Sequence, residues 1–263
     1  TDWANKVYGA GALVLVNTVA NLDAVIDGSA ADTLATAYVG MPTQTFSTTD
    51  VDGMLQIDDA AAANSAAKIT NLVVNAGSGI NVSTVGNALK IGQNLTLSGA
   101  GDTAAEAGTA DAAALAITTA SGETKINSNI TLAADATIFA GGTGDHRLNG
   151  SFNGAGYTLT KTGSGFLGLG AFASGSTNDL SGDLNIQGGT IQLVGMGTAE
   201  ARQAIGKTTL AAGTKLYFYT GHYDFADADG AIAFDGDATL DLGAEATAKL
   251  STNVSGSSIV TMQ

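Results

Sequence analysis

Few residues in this chain are of types that carry out chemistry. In 263 residues there are two histidines, ten lysines and arginines together, and no cysteine. Without cysteine there are no disulfides, thiolate zinc sites or thiol nucleophiles. His146 lies in Gly144-Asp145-His146-Arg147 and His222 in Gly221-His222-Tyr223-Asp224. Both settings are polar and turn-like, so both side chains are expected in solvated loops; a Ser-His-Asp arrangement needs a geometry that spacing alone does not supply. Paired carboxylates for glycoside hydrolysis would have to come from Asp224, Asp227, Asp229, Asp235, Asp237 and Asp241, which read as acidic turns. Calcium, which takes oxygen ligands, is the one metal considered. Thr48, Asp50, Asp52, Gly53 and Asp59 fall at positions 1, 3, 5, 6 and 12 of an EF-hand loop, with threonine and aspartate departing from its first and last ligands. Asp50, Asp52 and Asp59 are the calcium candidates, weighed against an ordinary polar turn; no other cofactor is expected. Gly141-Gly142-Thr143-Gly144-Asp145 matches part of a glycine-rich calcium nonapeptide but is one residue short and occurs once. The densest aromatic stretch is Tyr217-Phe218-Tyr219, followed by Tyr223 and Phe225. It predicts one inward phenylalanine flanked by outward tyrosines, which could stack on a sugar or meet a neighbouring subunit.

Composition narrows what could position these groups. Hydrophobic residues make up 44% of the chain and charged residues 13%, too apolar a balance for intrinsic disorder. The net charge of −14 argues against nucleic acid and against an anionic membrane surface, because both need basic patches. No apolar run approaches the ~20 residues of a membrane-spanning helix. A chain opening on Thr1 with no charged and apolar leader fits a mature exported protein.

The elements that must carry the side chains follow from an internal repeat. Leu167-Gly168-Leu169, Ile191-Gln192-Leu193, Leu216-Tyr217-Phe218 and Leu240-Asp241-Leu242 recur at steps of 24, 25 and 24 residues. A second phase aligns Leu159, Leu184, Leu210 and Phe234. Each element alternates apolar with small or polar residues, as a half-buried strand does, and Gly, Asn and Asp corners separate them. Two strands per ~24-residue repeat predict an all-β fold, a parallel β-solenoid, in preference to an antiparallel sandwich or barrel. Upstream, strands are expected at 69–74, 80–82, 89–91, 95–97 and 130–132. The Ala-rich stretches 60–67 and 104–114 could be short helices or decorated loops, and Thr198 could cap a short helix running to Ile205. Residues 1–68, with the least repeat character, are expected as an N-terminal cap or assembly segment, and residues 69–263 as the solenoid.

Gly156-Tyr157-Thr158-Leu159-Thr160-Lys161-Thr162-Gly163-Ser164-Gly165-Phe166-Leu167-Gly168-Leu169, followed by Asn178-Asp179-Leu180-Ser181-Gly182 and Gly188-Gly189-Thr190-Ile191-Gln192-Leu193, resembles the autotransporter-associated β-strand repeat. The resemblance implies a passenger-type parallel β-helix on a bacterial surface or in a secreted region, and it transfers no catalytic residue. It leads to the expectation of a non-enzymatic extracellular structural protein, a subunit of a bacterial surface fibre, filament or layer. The alternative is an adhesin that binds glycans. A β-helix polysaccharide lyase or hydrolase ranks third, because Arg147, Arg202 and scattered lysines offer few bases. The expected partner is a second copy of the chain, end to end. Leu13, Val14, Leu15 and Val16, apolar on both strand faces, and Ile259, Val260 and Met262, in a strand with no polar cap, are the self-association candidates.

Overall fold

In the computed structural model the alternating segments form strands, and every strand pair is parallel. The structure describes residues 6–8, 23–33, 46–57, 69–170, 178–196, 203–225, 232–250, 254–255 and 260–262. Among these residues there are strands, turns and bends and no helix. The fold is an all-β parallel solenoid with rungs of about 24 residues. One sheet runs in the order Lys6–Tyr8, Asp23–Thr33, Phe46–Ile57, Ile69–Val74, Asn94–Gly99, Asn129–Ala140, Leu159–Thr162, Leu184–Ile186, Thr208–Ala211, Ile232–Asp235 and Val254–Ser255. The second runs Gly86–Leu89, Glu123–Ile126, Asp145–Leu148, Phe166–Leu169, Thr190–Met196, Lys215–Phe225, Ala238–Leu250 and Val260–Met262. Strands 23–33 and 46–57 belong to the first sheet, which crosses position 68 through the pairing of Phe46 with Ile69.

The second sheet stacks in the anticipated register: Leu167, Ile191, Leu216 and Leu240 lie one above another, fully or nearly fully buried. Each such side chain removed from water contributes roughly 1.5–3 kcal/mol. The first sheet corrects the sequence reading by two residues. Leu159 and Leu184 stack beneath Thr208 and Ile232, whereas Leu210 and Phe234 stack above Ile186. Each strand has two inward positions, and the 24–26-residue spacing of Leu159, Leu184, Leu210 and Phe234 runs from the first position of two strands to the second of two others. Thr208, though polar, takes the first inward position; it is fully buried, and its hydroxyl donates to Gly206 O at 3.2 Å.

Asparagines tie three rungs of the first sheet. Asn71, Asn94 and Asn129 share one register position. Asn94 Nδ2 donates to Asn71 Oδ1 (3.1 Å), Asn129 Nδ2 donates to Asn94 Oδ1 (3.2 Å), and Asn129 Oδ1 accepts Ser151 N–H (3.2 Å). The ladder uses side-chain amides as extra backbone, bonding along the stack where the strands themselves bond.

Of the helix-like stretches, 104–114 forms successive turns and bends. Asp102 Oδ1 accepts Ala104 N–H at 2.8 Å, Asp102 N–H bonds Asp111 O at 2.8 Å, and Gly108 sits at positive φ, so the run closes as a loop before any helix can nucleate. At 198–205, Gln203–Ala204 is a strand paired with Tyr223 and Asp224, and Ile205 bridges Leu180. Rung-to-rung pairing overrides local helix propensity there. Residues 60–67 and 198–202 lie outside the described residues.

Candidate functional site

Alternation places the even-spaced residues of each strand inside the coil, and at one corner three of these are polar. Leu159 and Lys161 are the inward pair of their strand, so the lysine is buried with the leucine, at 0% exposure. Its Nζ donates to Gly163 O (2.6 Å), Gly165 O (2.7 Å) and Gly188 O (2.7 Å). The first two carbonyls belong to the corner following its own strand and the third to the corner one rung further on. An ammonium has three N–H groups and finds three acceptors at charge-assisted distances. Burial pushes the Lys161 pKa down to about 7. Gly189 is glycine for two reasons: its φ is +61°, and a Cβ there would lie 2.6 Å from Lys161 Nζ.

At the same corner one rung earlier, His146 is also fully buried, in the strand Asp145–Leu148. The loop placement expected for it is therefore corrected: His146 and Leu148 are an inward i, i+2 pair, which the polar neighbours Asp145 and Arg147 concealed. Its Nε2 lies 2.8 Å from Gly141 O. A carbonyl only accepts, so Nε2 carries the proton and Nδ1 is a bare acceptor with no hydrogen-bond partner. Burial holds the imidazole pKa below its usual value, opposed by the Gly141 bond and Asp145 and assisted by Lys161. Below His146 in register lies Thr124, whose hydroxyl is 3.0 Å from that of Thr119 and donates to Thr84 O at 3.1 Å. Hydroxyl pair, imidazole and ammonium thus occupy successive levels of one corner. In this geometry none of them reaches a solvent-borne group, and proton transfer to a substrate requires hydrogen-bond reach.

The outer face of the second sheet carries a column of polar and aromatic groups, of which Gln192 is buried. Lys125, Arg147, Gly168, Gln192, Tyr217 and Asp241 form one register column. Arg147 pairs with Asp145 at 2.8 Å, donates from Nη1 to Gln192 Oε1 two rungs away at 2.8 Å, and sits 5.3 Å from the Phe166 ring centroid. Its stem crosses position 168, where a Cβ would meet Arg147 Cγ at 3.1 Å, so a side chain there would press the arginine aside by a few tenths of an ångström. Lys215 pairs with Asp241 of the next rung and lies 5.2 Å from the Tyr217 ring, which meets Tyr219 edge-on at 6.0 Å. Phe218 points inward and Tyr219 outward, as the aromatic run predicts. Tyr223 and Phe225 are also fully buried and pack on Phe218.

The remaining sequence candidates are dispersed. His222 lies in a strand, not a loop, with Nδ1 2.7 Å from Thr247 Oγ1. Asp50 and Asp52 sit in the strand Phe46–Ile57, paired in register with Val25 and Asp27, where the backbone is extended and not wrapped as an EF-hand loop is. Asp59, Asp227 and Asp229 lie outside the described residues, as do Leu13, Val14, Leu15, Val16 and Ile259. Val260 and Met262 pair with Ala238 and Leu240. Asp145, from the glycine-rich stretch, is held by Arg147. Among the described residues no three His, Asp or Glu side chains gather as a metal-binding group, and no helix is long and apolar enough to cross a membrane. The chain matches no family model, no curated protein and no solved structure.

Proposed function

We propose that the chain is a non-enzymatic structural protein of the bacterial exterior, a β-solenoid subunit of a surface fibre, filament or layer that associates with copies of itself. The observation that carries this reading is how the chain uses its scarce cations. Lys161 bridges the corners of two rungs, Arg147 reaches across two rungs to Gln192, and Lys215 pairs with Asp241 of the next rung. Groups that an enzyme would direct at a substrate here bond one turn of the coil to another. The resemblance of 156–195 to autotransporter-associated repeats supports an extracellular setting. A parallel stack also offers the same edge geometry at each level, which a second copy can extend by strand addition. Negative-stain electron microscopy of the concentrated protein tests the proposal: fibres or sheets are expected, and replacing Leu13 and Leu15 with lysine should leave folded monomers. A parent that stays monomeric at every concentration, or release of reducing or unsaturated ends from a glycan panel, overturns it.

The outer face gives specific support to a second reading, a glycan-binding adhesin. Tyr219 is exposed and meets the half-buried Tyr217 edge-on, with Asp241 next to Tyr217 in register, a pairing of apolar ring and hydrogen-bonding carboxylate that sugars use. A saturable glycan ligand lost in Tyr217→Ala/Tyr219→Ala, with the protein monomeric throughout, would favour it over assembly.

A further inference from the structure

The cage around Lys161 has the composition of a cation site. Gly163 O, Gly165 O and Gly188 O converge on one point at 2.6–2.7 Å, and the walls are glycine: a Cβ at 189 would enter the cage, and one at 165 would meet Gly141 O at 2.5 Å and Ala140 O at 2.9 Å. The lysine approaches along the core between Ile138 and Ile186, its register neighbours. Among the described residues few titratable groups lie near the cage. His146 packs at the same corner one rung earlier, and Asp145 is bound by Arg147 on the outer face. Among the described residues no carboxylate bonds the ammonium, which is held by three carbonyl dipoles.

We infer that these three carbonyls form a monovalent-cation cradle selective for primary ammonium, which the chain fills with its own Lys161 and which would take a free alkylammonium ion if that side chain were removed. Three acceptors fit three N–H donors. A hydroxyl has one donor and tetramethylammonium has none. The guanidinium of arginine is planar and too wide for a threefold cage. The cradle joins two rungs, so the cation acts as a register pin: slipping either corner by one residue breaks at least one of the three bonds. The device also gives the Lys161, Gly163-Ser164-Gly165 and Gly188-Gly189 spacing a single physical purpose, because lysine and glycines are parts of one site.

The test uses the whole chain with Lys161→Ala, which deletes the atoms of propylamine. Refolded without additive, the variant is expected to melt roughly 5–10 °C lower than the parent. Refolding in propylammonium chloride should restore much of that loss saturably. Propan-1-ol of the same length, tetramethylammonium chloride and potassium chloride at matched ionic strength should not. Lys161→Met, which fills the volume without supplying donors, should stay low in all of them. Equal rescue by propanol, or no selective rescue by the amine, overturns the inference. Should neither variant fold, nitrogen-15 spectra of lysine-labelled parent protein at pH 6 decide the matter. One side-chain ammonium with slowly exchanging protons is expected, and eight fast-exchanging lysines would overturn it. None of these readouts involves assembly or glycan binding, so their failure leaves the proposed function to be judged separately.

Discussion

The rungs from Thr124 to Leu193 and those from Thr208 to Leu242 share one period and one pairing scheme, yet they fill their interiors differently. The earlier rungs run a polar column up one corner: Thr124, His146 and Lys161 bond backbone oxygens directly or through neighbouring hydroxyls. The later rungs widen. The strand Lys215–Phe225 shifts register after Phe218 and adds Tyr223 and Phe225 to the core, with ring centroids 4.9 and 5.7 Å from Phe218. The Tyr223 hydroxyl donates to Thr220 O at 2.6 Å, and its ring packs on Phe218. Backbone ladders set the cross-section in both regions, while the filling sets what each region resists. Aromatic packing supplies area and tolerates small displacements. A three-point ammonium cage supplies less area and tolerates none.

Breaking the aromatic half should have the largest effect. Phe218→Ala removes the ring on which Tyr223 and Phe225 pack, and should cost about 3–5 kcal/mol by denaturant titration. Hydrogen exchange should rise first around 215–225, leaving 145–169 protected; uniform loss of protection would show that the two regions are one cooperative unit. In the polar half, Lys161→Met should cost about 2 kcal/mol, the loss of bonds to three carbonyls partly offset by relief of the buried charge. A variant as stable as the parent would mean that the cage contributes nothing net.

Acidity separates the halves without mutation. The native state holds Lys161 near 7, against 10.5 in the unfolded chain, and so binds fewer protons than the unfolded state between those values. Stability should therefore rise with pH, by about 1 kcal/mol between pH 7 and 8. His146 acts in the same direction lower down: as pH falls below 6.5 the unfolded chain takes up a proton that the native imidazole resists, and stability is lost. Denaturation midpoints across pH 5–9 should show this slope in the parent, with the alkaline part absent from Lys161→Met. The smallest effect belongs to the outer staple. Arg147→Ala should cost less than about 1 kcal/mol, because its ion pair is partly exposed, and the loss should shrink in high salt.

The solenoid and the second-sheet register were legible because Leu167, Ile191, Leu216 and Leu240 recur as unbroken apolar pairs. The first sheet was harder, since Thr208 and Lys161 stand where apolar residues were sought. The signal for Lys161 was present: it lies two residues after Leu159, on the same strand face, and period-two alternation sends both inward. His146 before Leu148 carries the same signal. Residue type outweighed position in reading each. The asparagine ladder was hidden for a different reason. Asn71 to Asn94 is one rung, but the loop at 101–114 stretches the next interval, from 94 to 129, and breaks the visible period. Threefold convergence on the ammonium could not be read at all, because Gly188 becomes a neighbour of Lys161 only once the coil is wound.

That winding has a kinetic side. Each new turn brings together residues about two dozen positions apart, so each closure costs a similar chain entropy, roughly 3 kcal/mol plus a constant. The 35-residue interval between Asn94 and Asn129 costs only about 0.4 kcal/mol more than the 23-residue interval before it, which is why an insertion there is tolerated. Turns added to such a coil lengthen the protein without raising the barrier to any single step, in contrast to folds in which distant segments must meet before anything is gained. The slow event is the first closed pair of turns. A buried side chain that grips two consecutive corners rewards that pair before a third has formed, so the segment 159–193 is where winding would start, with later turns laid on it like successive laps of a thread on a spool.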